Sequence, residues 1–168
     1  LTKGRRGGVK MPYLTWKSFD WKYGSLPVFD AIRNKENVFF LDSSLRRGYS
    51  GRYSFLGFEP FYIFKSTGES DSFGRLRELL KRYKLNNIKY NFPFYSGAVG
   101  YFSYDSGLAL EKIRRAAKDG LDLPDLFFGF YDTIIALDHR KKKLVVSSCG
   151  FPEKNYLLSK KRAEQRLK

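Results

Sequence analysis

The stretch from Phe39 to Lys65 reads FFLDSSLRRGYSGRYSFLGFEPFYIFK, and it constrains the fold more than any other part of the chain. It holds three apolar, aromatic-rich runs cut by turn chemistry. Phe39-Phe40-Leu41 ends in Asp42-Ser43-Ser44, whose short polar side chains bond nearby backbone and favour turns. Gly48 and Gly51 bracket a basic, polar loop. Tyr53-Ser54-Phe55-Leu56-Gly57 alternates in the period-2 pattern of a half-buried strand. Glu59-Pro60 interrupts it, and Phe61-Tyr62-Ile63-Phe64 begins another run. The pattern predicts two or three adjacent strands whose ends bring Asp42, Ser43, Arg52 and Tyr53 near one place.

Those residue types suit a small zwitterion. A carboxylate and a hydroxyl take an ammonium, a guanidinium takes a carboxylate, and aromatic faces enclose an apolar body. A plainer reading stands beside it: Arg52 pairs with Asp42 on a sheet surface, and the aromatics are core.

Elsewhere the chain predicts an α+β fold of mostly antiparallel sheets with two or three helices outside. Leu1 to Lys10 reads as a flexible basic arm. Tyr13 to Trp16 suits a short first strand, with Pro12 at its edge. Ser25 is placed to cap a helix with Pro27 in its first turn, running to about Lys35. Ser72 is placed to cap a second, whose apolar stripe is Leu76, Leu79, Leu80 and Tyr83. Asn86-Asn87 and Arg114 to Asp122 read as polar connections, and Leu108 to Ile113 as a short helix after Asp105-Ser106. Gly97 and Gly100 lack the full spacing of a phosphate loop and read as strand glycines. Phe127 to Leu137 is the longest apolar run and predicts one long central strand. Asp138 to Lys141 then turns the chain into a returning strand, Leu144 to Ser148, with His139 solvated at the hairpin tip. Glu153 to Lys168 predicts a helix with Tyr156, Leu157, Ala163 and Leu167 as its apolar face, ending without a stop signal.

Several function classes are disfavoured by inventory. One cysteine, Cys149, excludes an internal disulfide framework and a multi-cysteine zinc site. One histidine excludes two-histidine metal motifs. Asp119, Asp122 and Asp125 read as solvated, and the acidic residues form no tight magnesium cluster. No apolar run approaches the roughly 20 residues of a membrane span, and a cytoplasmic location is the expectation. The formal net charge is +15, concentrated at the two ends of the chain. A basic nucleic-acid-binding module is the distant alternative. Against it, the aromatics fall in long apolar runs and do not interleave with Lys and Arg as stacking platforms do.

The same residues carry a resemblance. FLDS at 40–43, GRYSFLG at 51–57, PFYSGAVGYFSYD at 93–105 and LPDLFFGFYDTIIALDH at 123–139 resemble, in order, the N-terminal region of the chorismate-utilising synthases. These are the large components of anthranilate synthase and aminodeoxychorismate synthase. Aspartate in FLDS, where anthranilate synthases usually have glutamate, leans toward the aminodeoxychorismate branch. The resemblance implies that residues 11–150 are a non-catalytic domain and that 151–168 lead toward a separate C-terminal domain binding chorismate and Mg2+. It implies a sheet that stacks on a partner sheet of that domain, and a glutamine amidotransferase subunit as a further partner. It also implies one wall of an aromatic amino acid site, for tryptophan. By motif, Ser43 and the run Ser50, Gly51, Arg52 and Tyr53 carry over, with Asp42 at a position that varies between branches.

Overall fold

The computed structural model describes residues 13–45, 50–85, 92–111 and 122–168. The expected arm at 1–10, Pro12, Arg46, Arg47, the Asn86-Asn87 connection and Asp119 lie outside the described residues. Among the described residues the aromatic and β-branched runs form two antiparallel sheets, so the α+β expectation holds. The first has the order β1 (Leu14–Asp20), β8 (Lys143–Cys149), β7 (Thr133–Asp138), β3 (Tyr53–Gly57), β2 (Phe39–Leu41). The second has the order β4 (Tyr62–Ser66), β6 (Leu126–Tyr131), β5 (Gly97–Phe102). Of the three runs in the 39–65 stretch, only β2 and β3 are therefore neighbours. Glu59-Pro60 sends β4 into the other sheet. The first strand is also longer than predicted, because β8 supplies partners along all seven residues.

The expected single strand over Phe127–Leu137 is two. β6 belongs to the second sheet and β7 to the first, and the break between them falls at Asp132. Asp132 is fully buried. Its Oδ2 accepts from Arg162 Nε at 2.8 Å, and its Oδ1 lies 3.6 Å from Arg166 Nε. Its backbone carbonyl accepts from Cys149 N at 2.8 Å. A carboxylate inside an apolar run requires such partners, and they come from the last helix.

The described residues form four helices, of which α1, α2 and α4 pack on these sheets. α1 (Leu26–Ile32) buries Val28 and Ile32 against Leu56, Ile135 and Leu137 of the first sheet. Ser25 precedes α1, but its hydroxyl bonds Asp42 and makes no cap. α2 (Ser72–Arg82) covers the second sheet with Leu76 and Phe73 against Phe64, Leu126 and Phe130. Its N-cap is Asp71, one residue before the expected Ser72, and Leu80 is exposed where the stripe placed it inside. α3 (Ser106–Glu111) is a single short segment. Asp125 is not solvated: it is buried beside α3, accepting from Ser103 Oγ at 3.1 Å and Gly68 N at 2.8 Å.

α4 (Tyr156–Arg166) packs on β8 and β1. Of the predicted face Ala163 is fully buried, but Tyr156 and Leu157 are exposed, and the second inward residue is Ser159. Small residues are needed there because Gly150 lies directly beneath. A Cβ on Gly150 would collide with the backbone and hydroxyl of Ser159. Ser159 Oγ also accepts from Tyr13 N at 2.8 Å. Gly150→Ala should therefore displace α4 and cost about 1–3 kcal/mol, read as a lower urea midpoint. An unchanged midpoint would show that α4 is not seated this closely.

Candidate functional site

The register Phe39 to Gly57 and Leu41 to Phe55 sets where the chain leaves β2 and re-enters β3. It exits at Asp42 and returns through Arg52, so the two ends are neighbours. Ser43 stitches them together. Its N–H donates to Ser54 Oγ at 3.0 Å, and its hydroxyl donates to the Tyr53 carbonyl at 2.6 Å. Gly51 turns the chain with φ +73°, a left-handed conformation in which a Cβ is strained. Ser50 precedes it, exposed.

Asp42 sits on the α1 side of this turn. Its Oδ1 accepts from Ser25 Oγ at 2.6 Å and from Ser54 Oγ at 2.8 Å. Its Oδ2 takes neither of these hydroxyl bonds, and the residue is exposed. Burial resists the charge on Asp42. The Ser25 and Ser54 hydroxyls, the His139 charge and the Ser43 amide outweigh that and hold the carboxyl below its ordinary range. Ser54 is fully buried, and its Oγ also meets His139 Nε2 at 2.7 Å. The expected solvated histidine is thus a hydrogen-bonded one, because the hairpin tip folds over the end of β3. Serine, histidine and aspartate meet here, but not as a nucleophilic triad. The buried serine stands between the other two and gives its proton to the aspartate, so no base is set to activate it.

Arg52 does not pair with Asp42. Its Nε and Nη2 donate to Asp138 Oδ2 at 3.1 and 2.7 Å. The reason is register: Tyr53 faces Asp138 across the β3–β7 pair, which puts that carboxylate within reach. Asp138 Oδ1 accepts from Arg140 N and Lys141 N, both at 3.0 Å, and closes the hairpin turn. Burial opposes charge on Asp138, but Arg52 and those two amides prevail and lower its pKa. The Arg52 guanidinium also lies 4.7 Å from the centre of the Tyr53 ring. Tyr53 stacks on Phe55 and leans on Phe92, on the face opposite α1.

The structure therefore brings Ser43 to Tyr53 and Arg52 to Tyr53, at one end of the first sheet. It gives Asp42 and Arg52 separate partners on its two sides. A cleft of about 60 Å3 at this end is lined by Trp21, Lys22, His139 and Lys142, among others, and takes in neither Asp42 nor Arg52. Sequence reasoning missed Ser25, Ser54, Asp138 and His139 as members of this cluster. Only alternation in YSFLG hinted that Ser54 faces inward.

The other candidates carry no chemistry here. Among the described residues no three carboxylate, imidazole or thiol groups come together to hold a metal. The described residues therefore offer Mg2+ no chelating cluster. Cys149 is a buried strand end whose thiol burial pushes up to about 12, so it is no nucleophile at neutral pH. No described helix is long and apolar enough to cross a membrane.

Comparison with known proteins bears on the same region. The family model described as chorismate binding enzyme matches residues 36–168. The chain is 32% identical over 117 residues to probable anthranilate synthase component 1 of Schizosaccharomyces pombe, covering 69% of this chain and 24% of that protein. It is 25% identical over 159 residues to aminodeoxychorismate synthase component 1 of Bacillus subtilis, covering 86% and 32%. It superposes on the crystal structure of anthranilate synthase component I from Streptococcus pneumoniae TIGR4 with a TM-score of 0.56 at 23% identity, covering 84% and 33%. That last likeness concerns the fold alone. The chain spans about a quarter to a third of the length of these relatives.

Proposed function

Because this chain belongs to the family of chorismate binding enzymes, we propose that it is the N-terminal, non-catalytic domain of an aminodeoxychorismate synthase component I. In this reading the polypeptide that carries it aminates chorismate, on the route to 4-aminobenzoate and folate. Chorismate and Mg2+ are held by a further catalytic domain. Ammonia comes from a glutamine amidotransferase subunit, consistent with relatives named component 1.

The domain's own task is to supply one wall of an amino acid site for tryptophan. The observation that carries this is the Asp42–Ser43 turn. It is the FLDS motif, it is pinned to Tyr53 and Ser54, and it leaves one Asp42 carboxylate oxygen available to an ammonium group. Arg52, proposed from sequence as the carboxylate receptor, lies beside the Tyr53 ring on the other side of the sheet with its guanidinium held by Asp138, so it adds no group to this ammonium site. A second reading, anthranilate synthase component I with tryptophan as feedback inhibitor, is favoured by the names of most of the similar proteins, among them those of Schizosaccharomyces pombe and Lactococcus lactis.

Product analysis separates the two. The polypeptide carrying this domain, given chorismate, Mg2+ and ammonia, should yield aminodeoxychorismate and no anthranilate. Anthranilate as the product would establish the second reading in its place. Calorimetry should show tryptophan binding to that polypeptide and little or none to residues 1–168 alone. Tight binding by the 168-residue chain would contradict a site shared with another domain.

A further inference from the structure

The hydrogens around Ser54 can be assigned one by one. Asp42, ionised, only accepts, so the 2.8 Å contact with its Oδ1 takes the single Ser54 hydroxyl proton. Ser43 N–H donates into one Ser54 lone pair at 3.0 Å. The second lone pair faces His139 Nε2 at 2.7 Å, so that nitrogen carries a proton and donates. Every donor and acceptor of this buried hydroxyl is then matched. Two consequences follow. His139 orients Ser54, and Ser54 in turn fixes both Asp42 Oδ1 and the Ser43 amide. Ser25 holds the same Oδ1 from the α1 side at 2.6 Å. With Oδ1 doubly bonded, the carboxylate cannot rotate freely, and Oδ2 is the oxygen left for a ligand.

We infer that His139, acting through Ser54, is a positioning residue that fixes the Asp42–Ser43 turn in the shape that receives a ligand ammonium group. The histidine reaches this turn from the β7–β8 hairpin tip, nearly a hundred residues away along the chain. It touches no part of the proposed ligand itself. The inference rests on the amino acid reading for its ligand, but the state of the turn can be measured without one.

Three measurements test it. The chain has a single histidine, so its ring nitrogens give one unambiguous set of 15N signals. Long-range 1H–15N spectra should show Nε2 protonated at neutral pH; a bare Nε2 would overturn the inference. Exchange of the Ser43 amide should speed up about tenfold in His139→Leu, the scale of one lost hydrogen bond. It should stay within about twofold in His139→Gln, whose amide can still donate to Ser54. Tryptophan affinity of the polypeptide carrying this domain should follow the same order, weakened about tenfold by Leu and rescued by Gln. Equal losses in both variants, with a lowered melting temperature, would mean that His139 merely supports the hairpin and would overturn the positioning role. So would unchanged exchange in His139→Leu. If Ser43 exchange responds as expected while the wild-type polypeptide binds no tryptophan, the positioning role stands and the amino acid reading falls.

Discussion

Replacing both Arg162 and Arg166 with methionine should destabilise the domain by about 3–5 kcal/mol, the range for stripping a buried charge of its partners. Asp132 is fully buried, while the two arginines keep partial contact with water. Removing them leaves an uncompensated carboxylate where β6 hands over to β7. Arg162→Met alone is the cleaner half of the test, because among the described residues Arg162 Nε bonds only Asp132, whereas Arg166 also holds Glu59 Oε2 at 2.8 Å. The loss should depend on pH in a defined direction. Burial lifts the Asp132 carboxyl above its ordinary range, with the two guanidiniums pulling against it. A carboxyl with a raised folded pKa favours the native state at low pH and loses that favour as pH rises through the folded value. Without the arginines the folded pKa climbs further, so the penalty should be largest near neutrality and shrink below about pH 4. Urea titrations at several pH values would show this. Adding Asp132→Leu to the double variant should recover much of the loss, since an apolar replacement of the whole cluster leaves no charge stranded. A penalty independent of pH, or no recovery, would mean that the cluster is not what joins the sheets to α4.

Phe130→Ala should cost a similar amount, about 3–5 kcal/mol, for a different reason. Phe130 is 1% exposed on the central strand of the three-stranded sheet. Its ring meets Phe61, Tyr62 and Tyr83 with centroids 5.7–6.3 Å apart, tying β4 and the end of α2 to β6. Truncation opens a cavity among rings that cannot close over it, because aromatic neighbours relax little. Phe130→Leu should recover a large part. Near-equal losses for Ala and Leu would point to a change in strand pairing and away from a packing defect.

The parts of the fold set by short-range pattern were legible in the chain. The two strands around the Asp42–Ser43 turn, the β7–β8 hairpin and the helix beginning near Ser72 follow from alternation, turn residues and helical spacing. What could not be read depends on partners far along the chain. Phe127 to Leu137 is continuous in apolar character, and the one dissenting residue, Asp132, marks the break only once Arg162 and Arg166 are known to reach it. Arg52 looked equally able to pair with Asp42; strand register, which no local pattern encodes, awarded it to Asp138. His139 followed the same logic. A histidine in a basic turn looks solvated until the hairpin is laid across Ser54. Ala163 was placed correctly on the inner face of α4, but Tyr156 and Leu157 were not, because docking there is governed by a glycine beneath the helix and not by its large side chains.

Among the described residues the edge strand β1 pairs only with β8, Leu14 meeting Cys149 from far along the chain. During translation, at about 5–20 residues per second, β1 would wait on the order of ten seconds for its partner to leave the ribosome. Until then its backbone is an open template for foreign strands. The arrival of the β7–β8 hairpin is therefore the step that seals the first strand in.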